Sequence, residues 1–394
     1  MGTFALFALL GTRVVDISPI AMHLRGASDT YFDADTDADA DTDTDTDTVN
    51  IPRVMTGVQL VGHGGLDQLI LRHDIPVPHP QADEVLIRMG ASSVNNTDIN
   101  TRTGWYSHDA DAAHTSWSGQ PMPFPRIQGA DCCGRIVAAG SAVDPSRLGE
   151  RVLVRTMQDP VTIDSKEIPV TLGSEIDGAF AEYLVVRSSE AFRIESPLTD
   201  SELATFPCAY STAEGLLQRA GVSTERVLIT GASGGVGSAL VQLAAMRGAD
   251  VTAVASPDNH QALRDLGARR LVARDASLLE ELGDSTIDVV IDVVGGNSFA
   301  NVLKILTPRG RYATAGAVAG PDVALDLRAL YLKDLTLFGC TFHPRSVFAD
   351  LVGYIEAGAI TPIVADEYDL ADITAAQERF MSKDFFGKIA IVSP

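Results

Sequence analysis

Residues 227–244 read VLITGASGGVGSALVQLA, and this stretch decides the fold. An apolar run ends in Gly231-Ala232-Ser233-Gly234-Gly235-Val236-Gly237, and an apolar helical pattern follows at once. Small residues at such a turn let the backbone approach a pyrophosphate. The N-terminus of the following helix presents unpaired N–H groups and a partial positive charge to it. A glycine-rich string alone is a weak signal, since a tight turn with no ligand looks the same. Here the strand before and the helix after supply the context that a dinucleotide site requires. Gly231, Ser233, Gly234, Gly235, Val236 and Gly237 are therefore expected to hold a dinucleotide.

Downstream the pattern alternates. Strands are predicted over 226–230, 250–255, 269–275, 287–295 and 311–316, with helices over 238–248, 259–267 and 298–310. Strand–helix alternation with continuously apolar strands is the mark of a doubly wound parallel sheet in an α/β protein. Upstream, from Pro52, the texture differs: VMTGVQLVGHGG, LILRHDIPVP, DEVLIRMGASSV, CGRIVAAG, RVLVRT and GAFAEYLVV are short apolar runs split by Gly and Pro. That reads as an antiparallel, barrel-like region. The period turns helical over 201–221. The last 50 residues show a helix over 346–358 and a closing strand over 388–393, expected to return to the first domain.

A chain of 394 residues suggests two domains. With 45% hydrophobic and 21% charged residues it has ordinary globular composition. No apolar run reaches the roughly 18 residues of a membrane span. The net charge of −22, from 52 acids against 30 bases, argues against nucleic acid or an anionic membrane as partner. Residues 1–51 carry −8 of it, mostly in DADTDADADTDTDTDT at 33–48, and the remaining −14 is spread over the rest. Alternating Asp repels itself and offers nothing to bury, so 1–51 is expected to be a disordered, dispensable acidic tail. Its apolar start lacks the basic residues of a signal peptide, and Leu6 stands where myristoylation prefers Ser or Thr. Four cysteines (Cys132, Cys133, Cys208, Cys340) without a CxxC pair suggest a reducing, cytoplasmic setting and speak against structural zinc. No GxSxG elbow and no lysine of a phosphate-binding loop occur, so hydrolase and nucleotidase readings fall away. His108 and His114, in an Asp/Ala/Ser-rich insertion, are expected to face solvent.

The end of the second strand bears on cofactor choice. NAD-preferring sites place an acid there for the ribose 2′-hydroxyl. Here Val254-Ala255-Ser256 carries none, and the Ser256 hydroxyl and Asn259 amide are donors suited to a 2′-phosphate. Asp258 pulls the other way. NADP is favoured and NAD remains possible.

These stretches, in this order, resemble the medium-chain dehydrogenase/reductase superfamily, and within it the zinc-independent quinone oxidoreductase-like branch. The likeness runs over 53–394 and is carried by GHGGLDQL, ASSVNNTDI, GWY, RIQGADCCGRIVAAG, DGAFAEYLVV, ASGGVG, LRDLGA, IDVVG and FGKIAIV. It implies a GroES-like β-barrel catalytic domain (52–198 and 341–394), a Rossmann cofactor domain (199–340), and a substrate cleft between them. Zinc-using members bind a catalytic zinc through Cys, His and Cys. Their places here fall on Asn95, Ala130 and Cys208, leaving one ligand of three, so no metal is expected.

The resemblance also implies the site. Asn95, on the loop that meets substrate and nicotinamide, is expected to donate to a carbonyl. Tyr106, in Gly104-Trp105-Tyr106, is expected to face substrate and stabilise an enolate or pass a proton. Thr212 is expected beside nicotinamide, and its hydroxyl is alternatively, or in addition, a cap for the next helix. Val294 and Gly295 fall under the cofactor ribose. Phe338, Gly339 and Cys340, with Gly387 and Lys388, fall on segments that close over nicotinamide and phosphate. Asp98, Asp131 and Asp292 are expected to hold loops and strand ends.

The activity implied is NADPH-dependent hydride transfer to a small quinone or α,β-unsaturated carbonyl. A conjugated acceptor spreads the incoming charge over its enolate, so hydrogen-bond donors can replace a metal. The alternatives are a zinc-type alcohol dehydrogenase and an NADPH-binding protein without turnover. Residues 334–342, DLTLFGCTF, fall where relatives pair edge to edge, so a twofold homodimer is expected.

Overall fold

The computed structural model describes residues 51–107, 115–163 and 165–394. The acidic tail up to residue 50, and His108 and His114, lie outside the described residues.

The predicted parallel sheet is present. Among the described residues it has six strands, ordered Arg270–Ala273, Asp250–Ala255, Arg226–Ile229, Ile287–Asp292, Leu306–Thr314 and Thr336–Gly339. Every neighbouring pair runs parallel. Numbered along the chain the order is 3-2-1-4-5-6. It reverses between Arg226–Ile229 and Ile287–Asp292, the switch point beside which such sheets bind ligands. The glycine turn leaves the strand on one side of that point.

The upstream region forms antiparallel strands around Glu84–Ser93, which pairs with Cys133–Ala139, Tyr183–Arg187 and the closing strand Lys388–Val392. Arg151–Val154 and Ala191–Arg193 extend this sheet on one side. On the other, Val364–Asp369 runs parallel to Lys388–Val392. A three-stranded sheet, Leu69–Pro76, Val54–Leu60 and Arg126–Ile127, packs over it. Alternation in Glu84–Ser93 aims Val85, Ile87 and Met89 into one core and Leu86 into another. A further cluster joins Leu216, Leu240, Val251, Ile291 and Phe348 to Ala91, Cys133 and Leu153, so the two regions share buried surface. Each such leucine or phenylalanine contributes about 1.5–3 kcal/mol by leaving water.

Four sequence expectations need correction. The helical stretch 201–221 is two helices, Asp200–Leu203 and Pro207–Arg219, because Pro207 lacks the N–H that would continue the first and suits the start of the second. The helix expected over 298–310 is Phe299–Ile305. Leu306–Thr314 is strand, with Pro308 followed by Arg309 at φ +65° in a register shift. The helix Arg345–Glu356 packs on Pro207–Arg219 in the core of the parallel-sheet side, so the chain rejoins the barrel strands only from Val364. The strand Val364–Asp369 and the helix Ile373–Ser382 were not predicted.

Candidate active site

The glycine turn has the shape a pyrophosphate needs. Gly231 sits at φ +59°, and a Cβ there would come within 3.0 Å of Val294 Cγ2. Gly237 is packed hardest: a Cβ would lie 2.1 Å from the Gly231 carbonyl oxygen. Gly234 is exposed, and a Cβ there would meet nothing nearer than that oxygen at 3.6 Å, so its outer face is open. It caps the 12-residue helix Gly235–Met246, whose first N–H groups point outward beside Ser233, Gly235 and Val236. These residues fit a dinucleotide.

Around the turn the chain is tied down. The buried Asp292 carboxylate accepts from Thr230 Oγ1 (2.5 Å), the Val294 and Gly295 N–H groups (2.9 and 3.0 Å) and the Tyr312 hydroxyl (2.8 Å). This places Val294 and Gly295 at the switch point. Ser256 follows the strand Asp250–Ala255 directly, and the Asn259 N–H closes a turn onto its carbonyl at 3.0 Å. Arg274, which the sequence reading did not single out, leaves the neighbouring strand there and donates its N–H to the Ala255 carbonyl at 3.1 Å. Its backbone thus stands at the Ser256 end of the sheet, and the residue is exposed.

The loop after Glu84–Ser93 is more internal than expected. Asn95 caps the helix Asn96–Thr103, whose first turn it shares with Asp98. Its amide is committed: Nδ2 donates to Asp131 Oδ2 (2.7 Å) and the Ser93 carbonyl (3.2 Å), and Oδ1 accepts from Lys388. Both amide protons are spent, so the expected donation to a substrate carbonyl has no proton left in this arrangement. Lys388 departs from expectation too. Its side chain runs past Gly235, but the buried ammonium donates to the Val94 carbonyl (3.1 Å), Asn95 Oδ1 and Asp131 Oδ2 (3.0 Å) rather than facing a phosphate. Asp131 also accepts the Cys208 N–H at 2.7 Å and the Ser93 hydroxyl. Asp98 accepts the Asn95 and Gly129 N–H groups, and burial raises it to about 7.

The three places that carry zinc ligands in metal-using relatives thus hold a hydrogen-bonded amide, a buried methyl at Ala130 and a thiol. Burial, then the Asp131 charge, pushes the Cys208 thiol up, so it stays protonated. Among the described residues no group of three His, Cys, Asp or Glu side chains could hold a metal ion.

Tyr106 follows the end of the helix Asn96–Thr103. Its hydroxyl donates to Thr97 Oγ1 at 3.1 Å, and burial raises its pKa, keeping it a phenol. Trp105 stands edge-on to it, ring centroids 5.5 Å apart, and is half exposed. Thr212 is not a helix cap. It lies inside Pro207–Arg219 and its hydroxyl donates to the Cys208 carbonyl at 2.7 Å. Facing it across a hollow of about 10 Å³ are Cys340, Thr341, Phe342 and His343, which follow Phe338 and Gly339 at the sheet edge. Phe342 meets Trp117 edge-on at 5.6 Å, and Ser107 and Thr115 join their hydroxyls at 2.6 Å. Trp117 and Phe342 were not anticipated: one aromatic in a Ser/Gly loop carries no periodic signal.

Comparison with known proteins gives the family. Residues 81–196 match the alcohol dehydrogenase GroES-like domain, and residues 235–357 the zinc-binding dehydrogenase domain. A solved structure from Sinorhizobium meliloti 1021, assigned as an alcohol dehydrogenase, is 46% identical with a TM-score of 0.82, covering 88% of this chain and 98% of that one. The quinone oxidoreductase of Rattus norvegicus is 25% identical, over 86% of this chain and 98% of its own. The NADPH-dependent alkenal/one oxidoreductase of Arabidopsis thaliana is 28% identical, over 80% of this chain and 73% of its own. The chain belongs to the medium-chain dehydrogenase/reductase superfamily, in its quinone oxidoreductase-like branch, and is an oxidoreductase that uses a nicotinamide cofactor.

Proposed function

We propose that this protein uses NADPH to reduce a small conjugated acceptor, a quinone or an α,β-unsaturated carbonyl compound, without a metal. The observation that carries the reading is the state of the three ligand places. Neither the Asn95 amide, bound to Asp131 and Lys388, nor the Ala130 methyl can donate to zinc, and a catalytic zinc needs three protein ligands. Nothing else in the described cleft would polarise an isolated ketone strongly. A conjugated acceptor needs less help. The cofactor held at residues 231–237 would supply a hydride for its β-carbon, and charge would develop on the distant carbonyl oxygen. Tyr106 and Thr212 are the neutral hydroxyls assigned to that oxygen: each would rotate its proton from its present acceptor, Thr97 Oγ1 or the Cys208 carbonyl, toward the substrate, and a proton would complete the reduction. Trp105, Trp117 and Phe342 offer flat apolar walls suited to a planar acceptor. The names of the rat and Arabidopsis relatives point the same way.

The test is NADPH oxidation by the purified protein against quinones, enals, enones and simple ketones, with NADH in parallel and metal content measured on the same sample. Turnover of conjugated acceptors, with less than 0.1 metal ion per chain by roughly stoichiometric analysis, is expected. A tightly bound zinc with turnover of simple alcohols would replace this reading by a zinc alcohol dehydrogenase.

A further inference from the structure

The helix Ile373–Ser382 ends on Lys383, whose backbone stands in the left-handed region at φ +55°. Glycine fills such positions without strain, and a side chain there is kept against a steric cost. This side chain has a definite place. Its ammonium lies 3.6 Å from the centroid of the Phe380 ring and donates to Asn96 Oδ1 at 2.9 Å. Asn96 is the exposed first residue of its helix, next to Asn95. Four residues beyond Lys383, the Gly387 N–H donates to the Ser233 carbonyl at 3.0 Å and Gly387 bridges to Gly234. The segment 383–387 therefore runs from Asn96 to the glycine turn and carries a cation four residues before its contact with that turn.

That cation has no counter-charge within ion-pair reach among the described residues. The groups around it are Asn96 from one helix, Phe380 and Arg379 from its own, the adjacent Asp384, and Lys388 from the closing strand. Arg379 is paired with Asp366, and Lys388 with Asp131. Burial, then the Lys388 ammonium, pulls Lys383 down to about 8. An ammonium held in a strained position, under-neutralised, on the segment that contacts the start of Gly235–Met246, is arranged for an anion.

We propose that Lys383 is the cation that receives the pyrophosphate of the dinucleotide, exchanging the Asn96 amide oxygen for a phosphate oxygen. The proposal rests on the reading of residues 231–237 as the dinucleotide turn. It moves to Lys383 the role that the sequence suggested for Lys388.

The experiment measures dissociation constants for ADP-ribose, which has the pyrophosphate but no nicotinamide, and for NADPH, in wild type, K383G, K383M and K383R, together with melting temperatures. K383G is expected to melt no lower than wild type, because glycine relieves the left-handed strain. It should nevertheless bind ADP-ribose about tenfold more weakly, as should K383M. K383R should bind as wild type does. Wild-type affinity should fade as pH rises through about 8, where the ammonium loses its proton, and K383R should hold its affinity there. Unchanged ADP-ribose affinity in K383G and K383M would overturn the proposal while leaving the turn intact. So would a defect confined to KM for the reducible substrate. Wild type that binds neither ADP-ribose nor NADPH would remove the dinucleotide reading itself.

Discussion

Gly234 and Gly237 lie three residues apart in one turn, and the structure separates their roles. Gly237→Ala puts a methyl 2.1 Å from the Gly231 oxygen, 2.6 Å from Ala232 Cα and 2.7 Å from the Gly231 carbonyl carbon. All three are backbone atoms of the preceding turn, so relief requires the helix to move off the sheet. Overpacking of this kind costs about 1–3 kcal/mol, and a backbone clash belongs at the upper end. For a chain of this size, with an unfolding entropy of about 0.7–0.8 kcal/mol/K, that is a fall in melting temperature of roughly 4 °C without ligand. Gly234→Ala differs. Its φ of −79° and ψ of 172° suit any residue, and the nearest atom to the new methyl is 3.6 Å away. Losing glycine as a cap costs a few tenths of a kcal/mol or more, and the stiffer unfolded chain returns about 0.4–1 kcal/mol, so the net is near zero. The methyl projects where the pyrophosphate must approach. NADPH affinity should fall at least tenfold, about 1.4 kcal/mol. Thermal melts of the free protein and NADPH titration followed by fluorescence separate the two effects. Wild-type affinity in Gly234→Ala would show that the phosphates do not pass this residue. An undiminished melting temperature in Gly237→Ala would show that close helix–strand packing is not what the glycine protects.

Three further outcomes follow from particular residues. Wild type should prefer NADPH over NADH about tenfold in kcat/KM; Ser256→Asp should invert the ratio by setting a carboxylate against the 2′-phosphate, and Arg274→Ala should narrow it, whereas an unmoved ratio in both would show that this strand end does not face the 2′ position. Burial, then the Arg155 charge, lowers His343 to about 4, below its ordinary 6.5, so the folded state binds fewer protons than the unfolded one between those values. Stability should therefore drop as pH falls through that window, and denaturant midpoints of His343→Gln should lack this part of the slope. We propose a twofold dimer through the open edge strand Thr336–Gly339, beside which Leu327, Tyr331 and Leu332 are 62–73% exposed; Leu332→Lys should give a monomer by light scattering where wild type at micromolar concentration gives twice the chain mass.

The sequence showed the parallel sheet and its turn because their signals are local. Apolar strands of four to six residues, a glycine turn and helices of 3.6 period need no knowledge of distant partners. The elements that escaped have weak local signals. Val364–Asp369, VADEYD, carries three acids on a largely unburied strand, and the buried face of Ile373–Ser382 is Ile373, Ala376, Gln377 and Phe380, in which an alanine and a glutamine stand for apolar residues. The site divides the same way. The amide chemistry of Asn95 was visible, but what it bonds was not. Lys388 lies 293 residues further along the chain, and only closure of Lys388–Val392 onto Glu84–Ser93 brings the two together. A long-range polar pairing has no periodicity to announce it, and so the two residues read as free donors toward ligands turned out to satisfy each other.

That pairing gives the site a frame built from this chain's own side chains. Four donors from separate elements meet on the buried Asp131 carboxylate: the Ser93 hydroxyl, the Asn95 amide, the Cys208 N–H at the start of Pro207–Arg219, and the Lys388 ammonium. The carboxylate thus fixes the loop at Asn95, the helix that carries Thr212 and the closing strand relative to one another. A buried carboxylate is costly alone, and so is a buried ammonium. Together they cancel, and the remaining hydrogen-bonding capacity of each is filled by neutral groups. Removing either partner strands the other charge, at about 3–5 kcal/mol, which exceeds what any single hydrogen bond here contributes. The pair therefore stands or falls as a unit. A carboxylate already neutralised by an internal ammonium, and flanked by an amide and a methyl at the neighbouring ligand places, has little left to offer a divalent cation. What it offers instead is a rigid frame that joins the loop at Asn95, the start of Pro207–Arg219 and the closing strand.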